Sequence, residues 1–227
     1  MNKESLVPFS FIIELLNPPL KHQQQDIHKL FTELKDIYVN YNTLTDTITE
    51  LSYIDKKTQE IKKLIIRNDK IIVLNDFTSS TLDRFWKDAS YIIEKSVSIL
   101  TIPIFFFRQY TIRFTASPLK EEDSRIFLGN RVCGLQDNKL KIFGRPIHGF
   151  GIRFVMPAIE NEQNEYNIRV ESLLKDVKQI FLENQARFIV PLQLQIQKNY
   201  LDSIKIEIDK TYEFLKSNVI GFLQQYN

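Results

Sequence analysis

The spacing of apolar residues changes along the chain between a period of two and a period near 3.6, and each period predicts one kind of element. Alternation over short stretches, or short apolar runs between turn residues, predicts strands. Asn68 and Asp69 tolerate a tight turn and separate two isoleucine-rich arms, so residues 62–76 are predicted to form a hairpin. The other strands predicted in this way are 8–16, 43–54, 104–114, 139–143 and 150–159.

Three segments have apolar residues spaced by three and four, which predicts helices with one buried face. The first segment is 25–41. The second follows Ser80 and Asp83, which resemble a capping box, and it ends before Pro103, which cannot continue a helix. The third begins near Asn199. Its apolar stripe consists of Leu201, Ile204, Ile208, Tyr212, Leu215, Val219 and Phe222.

The predicted C-terminal helix is apolar on more than one side. Ile206, Phe214 and Ile220 lie outside its main stripe, whereas a helix buried on one side has a single stripe. We therefore predict that this helix packs against the sheet and also against a second chain, in a homo-oligomer.

Residues 168–189 fit either a helix or two strands around 175–178, and we favour the hairpin. With that choice, 44–100 and 150–224 each contain three strands followed by a long helix. The predicted fold is therefore α+β, with an antiparallel sheet, long helices packed on one face, and a repeated order of three strands and then a helix.

The chain has no linker rich in proline, glycine or serine that would separate two domains. The segment with the most turn residues lies near the middle. We therefore divide the chain into an N-terminal half with strands and two helices (1–116), an irregular connector (117–138) and a C-terminal half with strands and the terminal helix (139–227).

The stretch IFFFRQYTIRF at 104–114 combines a run of apolar residues with an alternating segment. Both faces of its first half are apolar, which is typical of a central strand covered on both sides. Arg108 lies on the apolar side of that strand, together with Tyr110 and Ile112. We expect Arg108 to reach solvent, to lie beside a bulge or to pair with a carboxylate, because an unpaired buried charge is costly.

Composition narrows the class of protein. The chain has 227 residues, a formal net charge of +2 and one cysteine, Cys133, so it can form no intrachain disulfide. The apolar run 99–107 is far shorter than the roughly 20 residues of a membrane-spanning helix. The first residues lack a small-residue cleavage site and include Glu14, so we expect them to belong to the mature protein. We predict a cytoplasmic protein without a membrane span.

No catalytic motif is present in the sequence: GxGxxG, GxxxxGK[ST] and HExxH are all missing. We predict no catalytic residues, no metal and no cofactor, while the sequence leaves enzymatic activity open. The loop GRPIHGFG at 144–151 holds half of the chain's glycines. It is either a wide turn that needs glycine or a ligand-contact loop with Arg145 and His148 as donors.

The segment 108–153 carries nine Lys or Arg residues against four acidic ones, which is +5 in a chain of +2. Aromatic residues are interleaved with this charge, and such a pattern can mark a surface that binds phosphates and stacks on bases. The candidate residues for binding a ligand or a nucleic acid are Arg108, Tyr110, Arg113, Arg125, Arg131, Lys139, Lys141, Arg145, His148 and Arg153.

Two short sequences and a terminal helix carry a resemblance to known proteins. FTSSTLDRFWKDA at 77–89 predicts a helix with an aromatic pair, and RQYTIRF at 108–114 is a strand with two arginines. This order of elements resembles uncharacterised, sporadically distributed bacterial proteins of similar length. The resemblance implies no known activity and no site residues.

These observations lead to one predicted function and one alternative. We predict a non-enzymatic binding or assembly protein that acts through protein–protein contacts, with a protein partner or a second copy of itself. The alternative is a nucleic-acid-binding subunit that uses the basic and aromatic segment 108–153.

Overall fold

A computed structural model of the chain describes residues 6–118, 123–136, 140–196 and 199–226. Its largest feature is a nine-stranded sheet in which every pair of neighbours is antiparallel. The strands are β1 (Val7–Leu16), β2 (Asn40–Thr45), β3 (Ile48–Ile54), β4 (Ile61–Arg67), β5 (Lys70–Asp76), β6 (Ile104–Phe105), β7 (Phe107–Ala116), β8 (Gly151–Met156), β9 (Asn164–Ser172), β10 (Ile180–Phe188) and β11 (Leu192–Gln193).

The order across the large sheet is β2-β3-β4-β5-β1-β7-β10-β9-β8, while β6 and β11 form a separate short pair. The first strand, β1, is therefore central, and β7 joins it to the strands of the second half. One sheet spans both halves of the chain. Its two edges are β2 and β8.

Helices connect and cover the strands. They are α1 (Gln24–Glu33), α2 (Leu82–Ile99), α3 (Ser124–Ile126), α4 (Tyr200–Glu213) and α5 (Ile220–Gln224). A π-helical turn, Phe127–Val132, extends α3, and a second one, Phe214–Val219, joins α4 to α5. We call the continuous run of α4, this second π-helical turn and α5 the C-terminal helix.

Alternate side chains of the sheet point to a helix-covered face, and aromatic contacts mark where the helices lie. Phe11 on β1 stacks on Phe85 of α2, with ring centroids 5.3 Å apart. Farther along the sheet, Phe114 of β7 meets Tyr212 of the C-terminal helix at 5.5 Å. Ile112 lies opposite Phe11 in the register, so all these residues share one face. We call the other side the open face.

Several predictions from the sequence are confirmed. The fold is α+β with an antiparallel sheet. Residues 62–76 form the hairpin β4-β5, and the ambiguous segment 168–189 belongs to the hairpin β9-β10. The central position of β7, between β1 and β10, agrees with the prediction, but the predicted strand 104–114 is divided. Its first two residues form β6, which pairs with β11 outside the large sheet, and Phe106 is 48% exposed where cover on both sides was predicted.

Other predictions are corrected by the structure. The helices are shorter than predicted, because α1 ends at Glu33 and the α-helical part of the C-terminal helix is divided into α4 and α5 by a π-helical turn. Residues 43–54 are a hairpin and not one strand, since Asp46 and Thr47 form a turn. The segment Lys141–Phe143 is a single 3-10 turn where a strand was predicted. Four strands, β2 to β5, lie between α1 and α2, so the repeated order of three strands and a helix is not confirmed.

The helix predicted at 25–41 ends at Glu33 in the structure. Leu34 leaves helical geometry, and Ile37 and Tyr38 continue into a turn. Tyr38 is nevertheless only 1% exposed. A turn and a helix can thus bury apolar residues at the same spacing, which periodicity alone does not distinguish.

Among the described residues, no helix is long and apolar enough to cross a membrane.

Candidate protein-binding site

The strand β8 is an edge of the large sheet, and its backbone is paired on one side by β9. The N–H of Ser172 donates to the carbonyl of Phe150 at 2.8 Å, and these residues lie directly opposite each other in the register. Hydrogen-bonded and non-hydrogen-bonded pairs alternate along an antiparallel ladder. The residues of β8 whose N–H and C=O groups point away from β9 are therefore Gly151, Arg153 and Val155.

The side chains of β8 alternate between the two faces of the sheet. Ile152, Phe154 and Met156 lie opposite buried residues of β9 and so belong to the helix-covered face. Arg153 and Val155 belong to the open face. Val155 is 67% exposed and Met156 is 37% exposed, so the end of this edge presents apolar surface.

A groove of about 140 Å³ lies between β8 and the C-terminal helix. Its wall includes Phe154, whose ring is 5.5 Å from that of Phe222, and Phe214, which stacks on Tyr166 at 4.0 Å. Asn218 is the one polar side chain among the lining residues. The lining residues are Phe154, Met156, Ile168, Phe214, Asn218, Val219 and Phe222. We call this space the apolar groove.

The opposite edge of the sheet, β2, has different chemistry. Its sequence NYNTLT is mostly polar, and the pairing with β3 is irregular between Thr43 and Thr45. An irregularity of this kind is one device by which proteins keep exposed edges from pairing. The edge formed by β8 has neither a polar sequence nor a register shift in its pairing with β9.

A second candidate feature is the buried cluster around Arg108. Its guanidinium donates to both carboxylate oxygens of Glu207, at 2.8 and 2.6 Å, and to the carbonyl of Val190 at 2.6 Å. The hydroxyl of Tyr110 also donates to Glu207, at 2.7 Å. Arg108 is 3% exposed and Tyr110 is fully buried. The carboxylate that Arg108 was expected to need is therefore on α4.

The electrostatics of this cluster follow from burial and pairing. Burial by itself would lower the pKa of Arg108, but its bonds to Glu207 outweigh that effect, so the pKa is raised. The pKa of Tyr110 lies well above its usual value, because burial and the neighbouring Glu207 carboxylate both disfavour the phenolate. Arg108 is thus charged and Tyr110 neutral at ordinary pH.

A cleft of about 310 Å³ opens above the Arg108 cluster. Ile189, Val190 and Ile206 on its rim are 45 to 56% exposed. The donors of Arg108 on its floor are already bonded to protein groups. The cleft therefore has an apolar rim, and the cation on its floor, Arg108, is already paired with Glu207.

Three further residues proposed from the sequence lie on or beside the sheet with protein partners. The Nε of Arg113 donates to Glu183 at 2.7 Å on the open face. The Nε of Arg153 donates to the side-chain oxygen of Asn167 at 2.7 Å. Arg125 bonds Asp123 and the carbonyl of Ile147, which ties α3 to the glycine-rich loop.

The remaining candidates lie between α3 and β8. Lys141, Arg145 and His148 are exposed, and Arg131 is exposed on the first π-helical turn. Lys139 lies outside the described residues. The structure thus brings together Arg108 and Tyr110 beneath α4, while Arg113 and Arg153 are on the other face of the sheet.

Carboxylates accompany the arginines of the open face. Glu183 is 6% exposed and lies between Arg113 and Arg169, at 2.7 and 3.2 Å. Arg169 also bonds Glu171 at 2.9 Å. Cations that have acidic neighbours, as Arg113 and Arg169 do, attract phosphate less than the sum of the positive charges suggests.

The glycines of the loop at 144–151 have structural roles. Gly144 has a positive φ of 60°, which favours glycine. A Cβ on Gly151 would lie 2.5 Å from Glu171 Cγ, and one on Gly149 would lie 2.7 Å from Leu174 Cδ2. These glycines let the chain enter β8 close to β9. Among the described residues, no group of three His, Cys, Asp or Glu side chains is placed to hold a metal.

Two parts of these sites were not predicted from the sequence. Glu207 follows Ile204 by three positions, so it lies on the inner side of α4, and a carboxylate at such a position indicates a buried cation. That signal was present in the sequence. The apolar groove had no comparable signal, because it depends on how far the C-terminal helix extends over β8.

The chain matches no protein-family model and no curated protein. Its function is therefore argued from geometry.

Proposed function

We propose that the protein is a non-enzymatic, cytoplasmic binding protein that acts by protein–protein contact at β8. The observation that carries this proposal is the backbone of Gly151, Arg153 and Val155, which no strand among the described residues pairs, directly beside the apolar groove. An extended segment can add to such an edge through backbone hydrogen bonds, while its alternate side chains enter the neighbouring groove.

The chemistry of the groove supports this assignment. Aromatic and methionine side chains are enriched at the centres of protein interfaces, and Phe154, Met156, Phe214 and Phe222 line this one. The strongly perturbed group near the other cleft, Tyr110, is sealed in a structural cluster with Arg108. The geometry thus favours recognition over catalysis.

The proposal can be tested by site-specific photocrosslinking in the cells that make the protein. A benzoylphenylalanine at Val155 should yield a protein adduct, because this exposed side chain flanks the edge. The same label at Leu44, which is 58% exposed on the β2 edge, is the matched control and should yield none.

A charge in the groove gives the second arm of this test. Adding Met156→Glu to the Val155-labelled chain should abolish the adduct while leaving the circular dichroism spectrum unchanged. No adduct at Val155, or equal adducts at Val155 and Leu44, would contradict the proposal.

The alternative function, nucleic-acid binding through 108–153, is supported by one local feature. Phe143 is 66% exposed between the exposed residues Lys141 and Arg145, so an aromatic ring and two cations share one tip. Such a tip could stack on an unpaired base and contact phosphate. Filter binding of a single-stranded oligonucleotide at 50 and 200 mM salt tests it, since the alternative requires affinity that falls steeply with salt. Absence of binding at the lower salt would end it.

A further inference from the structure

We propose that the β8 edge binds a second copy of this chain, with the two β8 strands antiparallel about a twofold axis at Phe154. This inference rests on the proposed function, because it names the partner of the same site. The backbone and the side chains of β8 permit few registers in which the strand can pair with a copy of itself.

The directions of the backbone groups limit the possible registers. Hydrogen bonds between two β8 strands must join residues whose groups point outward, which are Gly151, Arg153 and Val155. Directly opposed residues must also share a face of the sheet. Twofold pairing of at least three residues within Gly151–Met156 therefore has four candidate centres: Ile152, Arg153, Phe154 and Val155. A centre at Ile152 joins only residues 151–153 of the two copies and leaves the exposed Val155 and Met156 without a strand partner from β8.

Two of these centres are chemically unfavourable. A centre at Arg153 places the two arginines directly opposite each other, and like charges in that position destabilise a pair. A centre at Val155 places Arg153 opposite Pro157 of the second copy. Proline has no N–H, so the carbonyl of Arg153 would lose its donor in each copy.

The centre at Phe154 satisfies both requirements. Arg153 of each copy lies opposite Val155 of the other, which allows four backbone hydrogen bonds. Phe154 then faces Phe154 of the second copy in a non-hydrogen-bonded pair, where side chains approach most closely. Ile152 lies opposite Met156 of the second copy, so every pair on the helix-covered face is apolar.

This register also covers the surface that β8 exposes. The paired Phe154 and Met156 side chains extend the wall of the apolar groove across the twofold axis. On the open face, the aliphatic stem of Arg153 from one copy lies against Val155 of the other, which is 67% exposed in the single chain. In this register the two strands therefore satisfy each other's hydrogen bonds, cover each other's apolar side chains and keep the two Arg153 charges apart.

The same sheet explains why assembly would stop at two copies. A twofold contact uses the same edge of both chains and is closed. In the described part of the chain, the remaining edges of the two large sheets are the β2 strands, whose pairing with β3 is irregular. Such an irregularity disfavours further strand addition.

The main experiment compares the oligomeric mass of variants by size-exclusion chromatography with light scattering. The full chain should have twice its mass of 26.9 kDa. Val155→Pro removes an N–H that points away from β9, so it should give a folded monomer. Val155→Thr keeps that N–H and the branched shape, and it should remain a dimer. Circular dichroism confirms that each variant folds.

A disulfide experiment tests the register separately. Opposed residues in a non-hydrogen-bonded pair have Cα atoms about 4.5 Å apart, within the range of a disulfide. In a Cys133→Ser background, Phe154→Cys should therefore form a dimer under mild oxidation. Arg153→Cys should not, because the two Arg153 positions are diagonal and about 7–8 Å apart. Efficient crosslinking of Arg153→Cys instead would overturn the register.

The outcomes separate this inference from the proposed function. A monomeric chain whose Val155 label crosslinks a different protein would overturn the second copy as partner and leave the binding function in place. A dimer that Val155→Pro leaves intact would show that β8 is not its interface and would overturn the inference. A monomer with no adduct at Val155 would remove both.

Discussion

Arg108 on β7 and Glu207 on α4 form a two-pronged ion pair, with Nε and Nη2 of the arginine at 2.8 and 2.6 Å from the two carboxylate oxygens. The two residues are 99 positions apart in the chain. Their side chains are 4% and 14% exposed. This pair fixes the C-terminal helix to β7, the neighbour of β1 in the middle of the sheet.

Removal of one partner of this pair should be strongly destabilising. Glu207→Ala leaves the buried Arg108 charge without its carboxylate, and such a change costs about 3–5 kcal/mol. We expect the free energy of unfolding, measured by urea titration, to fall by that amount. The exposed pair of Lys205 and Asp209 is the control, and Asp209→Ala should cost no more than about 0.5 kcal/mol.

A double variant tests whether the loss comes from the uncompensated charge. Arg108→Met combined with Glu207→Leu should recover much of the stability that Glu207→Ala loses, because replacing both partners by apolar residues leaves no buried charge. If Glu207→Ala and Asp209→Ala cost the same, the Arg108 pair does not stabilise the fold.

Stability should fall at alkaline pH because of Tyr110. Its pKa is raised in the folded protein, so above the ordinary tyrosine pKa of about 10 the unfolded chain loses a proton that the folded chain keeps. The free energy of unfolding then decreases with pH, by roughly 1.4 kcal/mol per pH unit for each such tyrosine. Urea midpoints between pH 8 and 11 measure this slope.

Variants identify the tyrosine responsible. Tyr110→Phe should reduce the alkaline slope, while the remaining slope comes from Tyr38, Tyr166, Tyr200 and Cys133, whose pKa values are also raised by burial. An identical slope in Tyr110→Phe and the parent chain would contradict the assignment.

A pair of glycine substitutions should have opposite effects. Gly151→Ala places a Cβ 2.5 Å from Glu171 Cγ and 3.1 Å from the Val170 carbonyl, so we expect a loss of about 1–3 kcal/mol. Gly221→Ala meets nothing within 4 Å and lies in α5, so it should stabilise by about 0.5–1 kcal/mol. Thermal unfolding of both variants checks the difference in sign, and a stabilising Gly151→Ala would refute the close approach.

The start of α2 offers a smaller test. Thr81 is the N-cap, and its hydroxyl accepts a hydrogen bond from the Arg84 N–H at 3.3 Å. Thr81→Ala should cost about 1 kcal/mol of unfolding free energy. Ser80→Ala, at the position predicted from the sequence to be the cap, should cost markedly less. Equal losses in a urea titration would mean that both residues act in the cap.

Local patterns of this sequence were sufficient to identify several elements. The hairpin β4-β5 follows from two isoleucine-rich arms around Asn68 and Asp69, and α2 follows from its periodic apolar residues and Pro103. Such elements depend on neighbours within a few positions, so their determinants are visible in a short window of sequence.

Boundaries were predicted less well where one apolar spacing fits two conformations. Ile37 and Tyr38 continued the helical pattern of α1, yet they lie in a turn that packs on the same core. Residues 43–54 alternated through Asp46 and Thr47, where the chain reverses. In the first case burial was foreseen and the backbone conformation was not, whereas in the second Leu44 is also 58% exposed.

The sequence by itself determined the buried face of α2, that Arg108 needed a partner, and that the sheet is antiparallel. Only the tertiary structure decided that β1 lies between β5 and β7, that Glu207 is the partner, and that β8 is left as an edge beside a groove. The physical reason is the distance along the sequence over which each interaction acts. Side-chain alternation and turn chemistry act over a few residues, whereas strand order and the position of the C-terminal helix depend on the burial that the whole chain achieves together.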